Sequence, residues 1–146
     1  AAERQLAKRA NLPAGVQRFE TSRGTDVLVG RSAAANDALV TRLLRGRDVW
    51  LHVRDQTGAH VVVRSRGKTP PADADVAEAA ALTAHLSGIA HETSAEVIVA
   101  AGTGVRKVKG AAPGAVYVSG ERSVRIRVGP AVITGFYARR PPAAAS

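Results

Sequence analysis

The sequence contains no cysteine and no methionine. Without thiols there is no disulfide framework, no cysteine nucleophile and no thiolate-bound zinc. Aromatic residues make up only 3%: Trp50, two tyrosines and two phenylalanines. A surface that stacks base after base on aromatic rings is therefore excluded. No apolar run approaches the roughly 18–20 residues of a membrane-spanning helix. Ala1–Ala10 (AAERQLAKRA) is too charged for a secretory signal, so a cytoplasmic location is expected. There is no P-loop, no HExxH pattern and no serine-nucleophile signature. The missing Met and the start at Ala1 are those expected of a processed or trimmed chain, or of a piece cut from a longer one. Acidic residues are scarce, 12 against 21 Lys and Arg, for a net charge of +9. That excess sits on 146 residues, the size of one domain with one core. A basic surface on a folded domain points first to nucleic acid and second to an anionic membrane.

The punctuation of the chain predicts its elements. Val16–Glu20 and Thr25–Gly30 read as strands around a turn at Ser22–Gly24. Asn36–Leu44 reads as a short helix, with Leu39, Leu43 and Leu44 on one side. Asp48–Arg54 and Ala59–Arg64 read as a hairpin, followed by a polar, basic loop at Ser65–Pro71. Asp73–Ala90 is the strongest helix, with Val76, Ala79, Leu82, Leu86 and Ile89 at helical spacing and Asp73 or Asp75 as its cap. Strands are expected at Ala95–Ala101, Ala115–Ser119, Val124–Val128 and Ala131–Tyr137. The result is an α+β fold, a mostly antiparallel β-sheet with one long and one short helix, in the order β-β-α-β-β-α-β-β-β. Residues 1–14 form a helical lead-in, 15–137 the domain, and 138–146 a Pro- and Ala-rich disordered tail.

The hairpin carries the most chemistry. If Gly58 closes a three-residue loop in the left-handed conformation, Arg54 faces His60 and His52 faces Val62. Alternation then puts Val49, Leu51, Val53, Ala59, Val61 and Val63 on a core face. Trp50, His52, Arg54, His60 and Arg64 share the other. Such a face can bind phosphate through the arginine fork and imidazole donors, with Trp50 as a stacking plane. The competing reading has Trp50 packed beneath the long helix and the histidines structural. No third ligand stands at a metal-binding spacing from His52 and His60, and no cofactor is indicated. His85 and His91 read as surface residues without a partner.

A second cationic region follows at Val105–Gly114 (VRKVKGAAPG). Arg106, Lys107 and Lys109 precede a small-residue loop in which Gly110 and Gly114 let the backbone approach a ligand closely. With Arg122, Arg125 and Arg127, six cations and one acid lie between Val105 and Val128.

These segments together resemble the NFACT-R family, also called the domain of unknown function 814. The resemblance is carried by Gly30–Arg31 with Asn36–Asp37 (GRSAAAND), Asp48–Arg54 (DVWLHVR), Gly58–Val63 (GAHVVV), Glu78–Ala80 (EAA) and Arg106–Gly114 (RKVKGAAPG). It covers roughly Phe19–Pro130. Ser32 stands where the family usually has Asn, and Val108 where it has Pro, and neither change removes a charge. The resemblance implies a non-enzymatic RNA-binding module that contacts transfer RNA and the large ribosomal subunit in the quality control of stalled nascent chains. It makes Arg31, Asn36, Trp50, His52, Arg54, His60, Arg106, Lys107, Lys109, Gly110 and Gly114 the candidate RNA-contacting residues. It also makes Ala1–Ala10 a candidate remnant of the coiled coil in longer members.

Two other classes compete with this reading. One is an RNA-processing enzyme using His52 and His60 as acid and base, for which the face offers no paired carboxylates. The other is a protein-interaction module. A membrane anchor is disfavoured because the long helix has few cations on its outward face. No small-molecule substrate is indicated.

Overall fold

The computed structural model describes residues 12–140. Eight strands and three helices follow one another as β1 (Val16–Glu20), β2 (Asp26–Gly30), α1 (Ala33–Ala38), β3 (Val49–Val53), β4 (His60–Val63), α2 (Asp73–Leu86), β5 (Ser94–Ala101), β6 (Val105–Lys107), β7 (Val116–Val118), β8 (Arg122–Arg127) and α3 (Pro130–Arg139). Six strands form one antiparallel sheet in the order β1-β2-β4-β3-β5-β8, and β6 and β7 form a separate hairpin. The α+β class and the antiparallel sheet are those expected.

The sheet is covered on both faces. On one side α2 and α3 lie over Phe19, Val27, Val29, Leu51, Val53, Val61 and Val63. Ala79, Ala80, Ala81 and Ala84 of α2 are buried there. Their short side chains bring the helix axis close to the sheet. On the other side α1 and the β6–β7 hairpin cover Leu28, Trp50, Val62 and Ala100. Trp50 therefore packs on the face away from the long helix, not beneath it. Alternation along β3 and β4 produces this division, with odd-numbered residues facing α2 and even-numbered ones facing α1.

Several boundaries differ from expectation for identifiable reasons. α2 stops at Leu86, not Ala90, because Gly88 takes a left-handed φ of 87°. Gly88 N then donates to His85 O and Ile89 N to Ala84 O, the paired bonds of a Schellman stop. Neither Asp73 nor Asp75 caps α2; Ala72 holds that position without a side-chain bond. Asp75 is buried instead and accepts from Thr21 Oγ1 at 2.9 Å and Thr25 Oγ1 at 2.6 Å, which fastens the β1–β2 turn to the helix. The short helix begins at Ala33, with the Ser32 hydroxyl accepting from Ala35 N, and runs on as a π-turn over Leu39–Leu43.

The segment expected as a final strand, Ala131–Tyr137, is helix α3. Pro130 stands at its first turn, and Ile133 and Phe136 are buried three residues apart. A short apolar run does not distinguish strand from helix, and here the spacing of the buried pair fits the helix. α3 continues past Tyr137 to Arg139, whose Nε donates to Glu20 O, while Arg140 lies over the Phe19 ring. The other parts of the expected lead-in and tail, 1–11 and 141–146, lie outside the described residues. Among the described residues no helix is long and apolar enough to cross a membrane.

Candidate nucleic-acid interface

The β3–β4 hairpin keeps its expected faces but not its expected register. Trp50 pairs with Val62 and Leu51 with Val61, two residues away from the register predicted. His52 thereby stands across from His60. The loop is longer than three residues, and its left-handed residue is Asp55, at φ 58°, not Gly58. Aspartate tolerates that conformation better than most side chains. Gly58 is small for a different reason. A Cβ there would lie 2.5 Å from Ser87 Oγ, so only glycine lets the loop rest on the end of α2. A shift of two leaves the side-chain parity intact, which is why the faces survive.

Trp50, His52 and His60 form one aromatic cluster. The Trp50 and His52 rings are parallel within 7° at 5.7 Å, and His60 stands edge-on to both. The Trp50 indole N–H donates to His60 Nδ1 at 3.4 Å. That bond needs an unprotonated acceptor. Burial, reinforced by the neighbouring His52, pushes the His60 pKa down to about 4. Burial also lowers His52, against a hydrogen bond at Val53 that favours its charged form. Both rings are thus neutral at physiological pH, so within the cationic, aromatic face expected from sequence the Trp50, His52 and His60 cluster is itself uncharged.

The cluster forms the floor of an open cavity of about 810 Å³. Its walls come from the start of α1, the 54–59 loop, the end of α2 and the 108–115 loop. Two adjacent residues of α1 hold two of these walls. Buried Asn36 accepts from His60 N at 3.4 Å and donates to Gly58 O at 3.5 Å, tying down the β3–β4 loop. Asp37 accepts from Gly114 N at 3.3 Å and from Lys107 Nζ, tying down the β6–β7 loop. The Lys107 hydrogen bond holds the Asp37 carboxyl below its ordinary pKa, against some desolvation. Gly30 permits the arrangement, since a Cβ there would lie 2.5 Å from Asn36 Oδ1.

Six of the residues singled out from sequence therefore meet at one cavity: Arg31, Asn36, Trp50, His52, His60 and Gly114. Five do not line it. Arg54 is on the same sheet face as His52 but is drawn sideways, where its Nε lies 3.2 Å from Glu96 and its Nη2 donates to Ser123 Oγ. Lys107 is engaged with Asp37. Arg106, Lys109 and Gly110 are exposed on the β6–β7 hairpin, which supplies one wall. Arg125 and Arg127 pair with Glu96 and Glu92 on the edge of the sheet. His85 and His91 are not isolated, since their ring nitrogens lie 3.3 Å apart. Burial, then His91 and Arg31, depress the His85 pKa.

Sequence reasoning missed Ser87 and Pro113, which line the cavity, and the tethering role of Asp37. Asp37 had a signal in the GRSAAAND segment, whereas Ser87 had none.

Comparison with known proteins agrees with this architecture. Residues 15–123 match the family described as the NFACT protein RNA binding domain. Over 109 residues the chain is 33% identical to the Rqc2 homolog RqcH of Bacillus subtilis, covering 75% of this chain and 19% of that protein. Over 102 residues it is 29% identical to the Rqc2 homolog RqcH of Streptococcus suis, covering 70% of this chain and 18% of that protein. The C-terminal structure of the fibronectin/fibrinogen-binding protein of Streptococcus suis superposes with a TM-score of 0.75 at 27% identity, covering 83% of this chain and 49% of that one. The chain thus spans under a fifth of the length of those two RqcH proteins. On the match over three quarters of its length, the chain belongs to the NFACT-R family of RNA-binding domains.

Proposed function

We propose that the cavity over Trp50, His52 and His60 is where this domain receives RNA, and that it serves in ribosome-associated quality control by contacting transfer RNA or ribosomal RNA. The observation that carries the reading is the convergence of Arg31, Asn36, Trp50, His52, His60 and Gly114 from four separate segments on one opening. The charges at that opening are Arg31 and Asp55, which offset each other, while the histidines are neutral. Such a wall suits the base or ribose of one unpaired nucleotide better than its phosphate. The phosphates on either side fall to Arg31 at the rim and to Arg106 and Lys109 on the adjoining hairpin. Affinity comes mainly from those phosphate contacts and is tolerant of sequence.

The domain binds RNA without turning it over. His60 Nδ1 is occupied by the Trp50 indole N–H, and its low pKa makes it a weak base at pH 7. Titration of the full chain with a short unpaired oligoribonucleotide, read by Trp50 fluorescence, tests the site. Trp50 is the one tryptophan of the sequence, so a saturable change reports the cavity alone. Binding that leaves the emission unchanged places the RNA elsewhere. Cleavage of labelled RNA that His52→Ala and His60→Ala abolish would restore the enzymatic reading.

A further inference from the structure

The cavity occupies one end of the sheet. The opposite end, where β3 begins and β4 finishes, carries a denser concentration of charge from the 44–48 and 64–69 loops. Arg45, Arg47, Arg64, Arg66 and Lys68 all lie there, and a groove of about 360 Å³ is lined by Arg45, Arg47, Asp48, Arg64, Ser65 and Gly67. A second groove of similar size adjoins it, with Arg64 and Arg66 in its wall.

We propose that this end is a second site for RNA phosphates, so that the domain holds two stretches of RNA backbone at once. The separation is roughly 15–20 Å, the length of the five-residue strand β3 between the two ends at about 3.3 Å per residue. The proposal rests on the family assignment to RNA and is independent of the cavity reading.

Three observations support it. First, four of these five cations are not neutralised internally, Arg64 alone being paired with Asp48. Asp48 is 1% exposed and fully engaged, accepting from Arg45 N at 2.9 Å, Ser65 N at 2.9 Å and Arg64 Nη1 at 2.8 Å. Glu20 and Asp26, which lie in the second groove, pair with Arg18. Among the described residues no ion pair includes Arg45, Arg47, Arg66 or Lys68.

Second, Arg47 and Arg66 are held in place by neutral partners. Arg47 donates to Lys68 O at 2.6 Å, and Arg66 donates to Arg23 O at 2.8 Å and Thr25 Oγ1 at 3.1 Å. The 66–69 turn is closed by reciprocal bonds between Arg66 and Thr69, both 3.0 Å, around Gly67 at φ 57°. Carbonyl anchors fix a guanidinium without reducing its charge, so less entropy is lost when a phosphate arrives. Third, like charges brought to one end of the sheet repel one another, a cost to the folded chain that a bound polyanion relieves. The end also lacks the apolar side chains a membrane contact needs. The exposed large hydrophobic residues of the described chain are Tyr117 and Tyr137, on β7 and α3.

The test uses the full chain with two RNA probes, a uridine dinucleotide and a uridine 20-mer. The dinucleotide is too short to reach both ends even when fully extended. The variants are Arg47→Gln/Arg66→Gln/Lys68→Gln and, as a form that breaks no side-chain hydrogen bond or ion pair of the described residues, Arg45→Gln/Lys68→Gln. The triple variant is expected to bind the 20-mer at least tenfold more weakly at physiological salt. Its log–log salt slope falls by about 2, near 0.7 per lost phosphate contact on a single strand. The double variant loses about 1.4 of slope and keeps its thermal midpoint, while dinucleotide binding read by Trp50 emission is unchanged in both. Equal 20-mer affinity and slope in wild type and both variants would overturn the proposal. Loss of binding to phosphatidylserine vesicles with RNA binding intact would assign the patch to a membrane surface instead. If Trp50 does not respond to either RNA but the slope still falls, the cavity reading fails and this one stands.

Discussion

The neutral state of His60 makes stability depend on pH in a way that can be isolated. The folded pKa is about 4 and the ordinary value is 6.5. Between those values the unfolded chain binds a proton that the folded chain refuses. Stability from this group is therefore complete above about pH 6.5 and is lost as the pH falls toward 4. Integrating the two titrations from pH 7 to pH 5 gives a loss of roughly 2 kcal/mol, out of about 3 kcal/mol over the whole interval. Carboxylates also titrate at the low end, so wild type alone is not diagnostic. His60→Asn removes the titration while its Oδ1 can still accept the Trp50 indole N–H. Urea unfolding of both proteins at pH 7, 6 and 5 should show wild type losing roughly 2 kcal/mol more than the variant over that range. Parallel pH dependences would refute the buried, neutral imidazole and with it the uncharged character of the cavity.

Other substitutions test other joints. Gly58→Ala should destabilise by about 1–3 kcal/mol, because its Cβ would meet Ser87 Oγ at 2.5 Å. Adding Ser87→Gly should recover much of that, giving a coupling above about 1 kcal/mol in a double-mutant cycle of urea midpoints. Asp48→Ala strands two backbone N–H groups and the Arg64 guanidinium. It should cost about 3 kcal/mol, seen as a thermal midpoint lowered by roughly 10 °C. Arg54→Ala should leave RNA affinity within about twofold of wild type in a filter-binding assay, since Arg54 is engaged with Glu96 and Ser123 away from the cavity.

What the sequence reveals and what it hides follow physical lines. The division of the β3–β4 hairpin into an apolar and an aromatic face is legible, because side-chain parity is local. The register is not, because it depends on Gly58 meeting Ser87, which lies 29 positions away. Arg54 looks like a partner of the histidines by alternation alone. Its actual direction is set by Glu96 and Ser123 on neighbouring strands, which no spacing announces. The same applies to Asn36 and Asp37, whose importance lies in the loops they tether. The apolar stretch of α3 contains β-branched Val132, Ile133 and Thr134 and reads as a strand until burial of Ile133 and Phe136 fixes the helical period. The charge at the far end of the sheet is divided between two loops and separated by the hairpin, so only folding gathers it.

Everything proposed for the cavity depends on RNA entering beside Trp50. Ultraviolet crosslinking of the full chain to a uridine oligonucleotide, with mass mapping of the attached peptides, tests it most directly. Adducts are expected on the peptides that contain Arg31, His52–His60 and Pro113–Gly114, with a concurrent saturable change in Trp50 emission. Adducts confined to β8, α3 or residues 140–146, with Trp50 emission unchanged at saturating RNA, would contradict it.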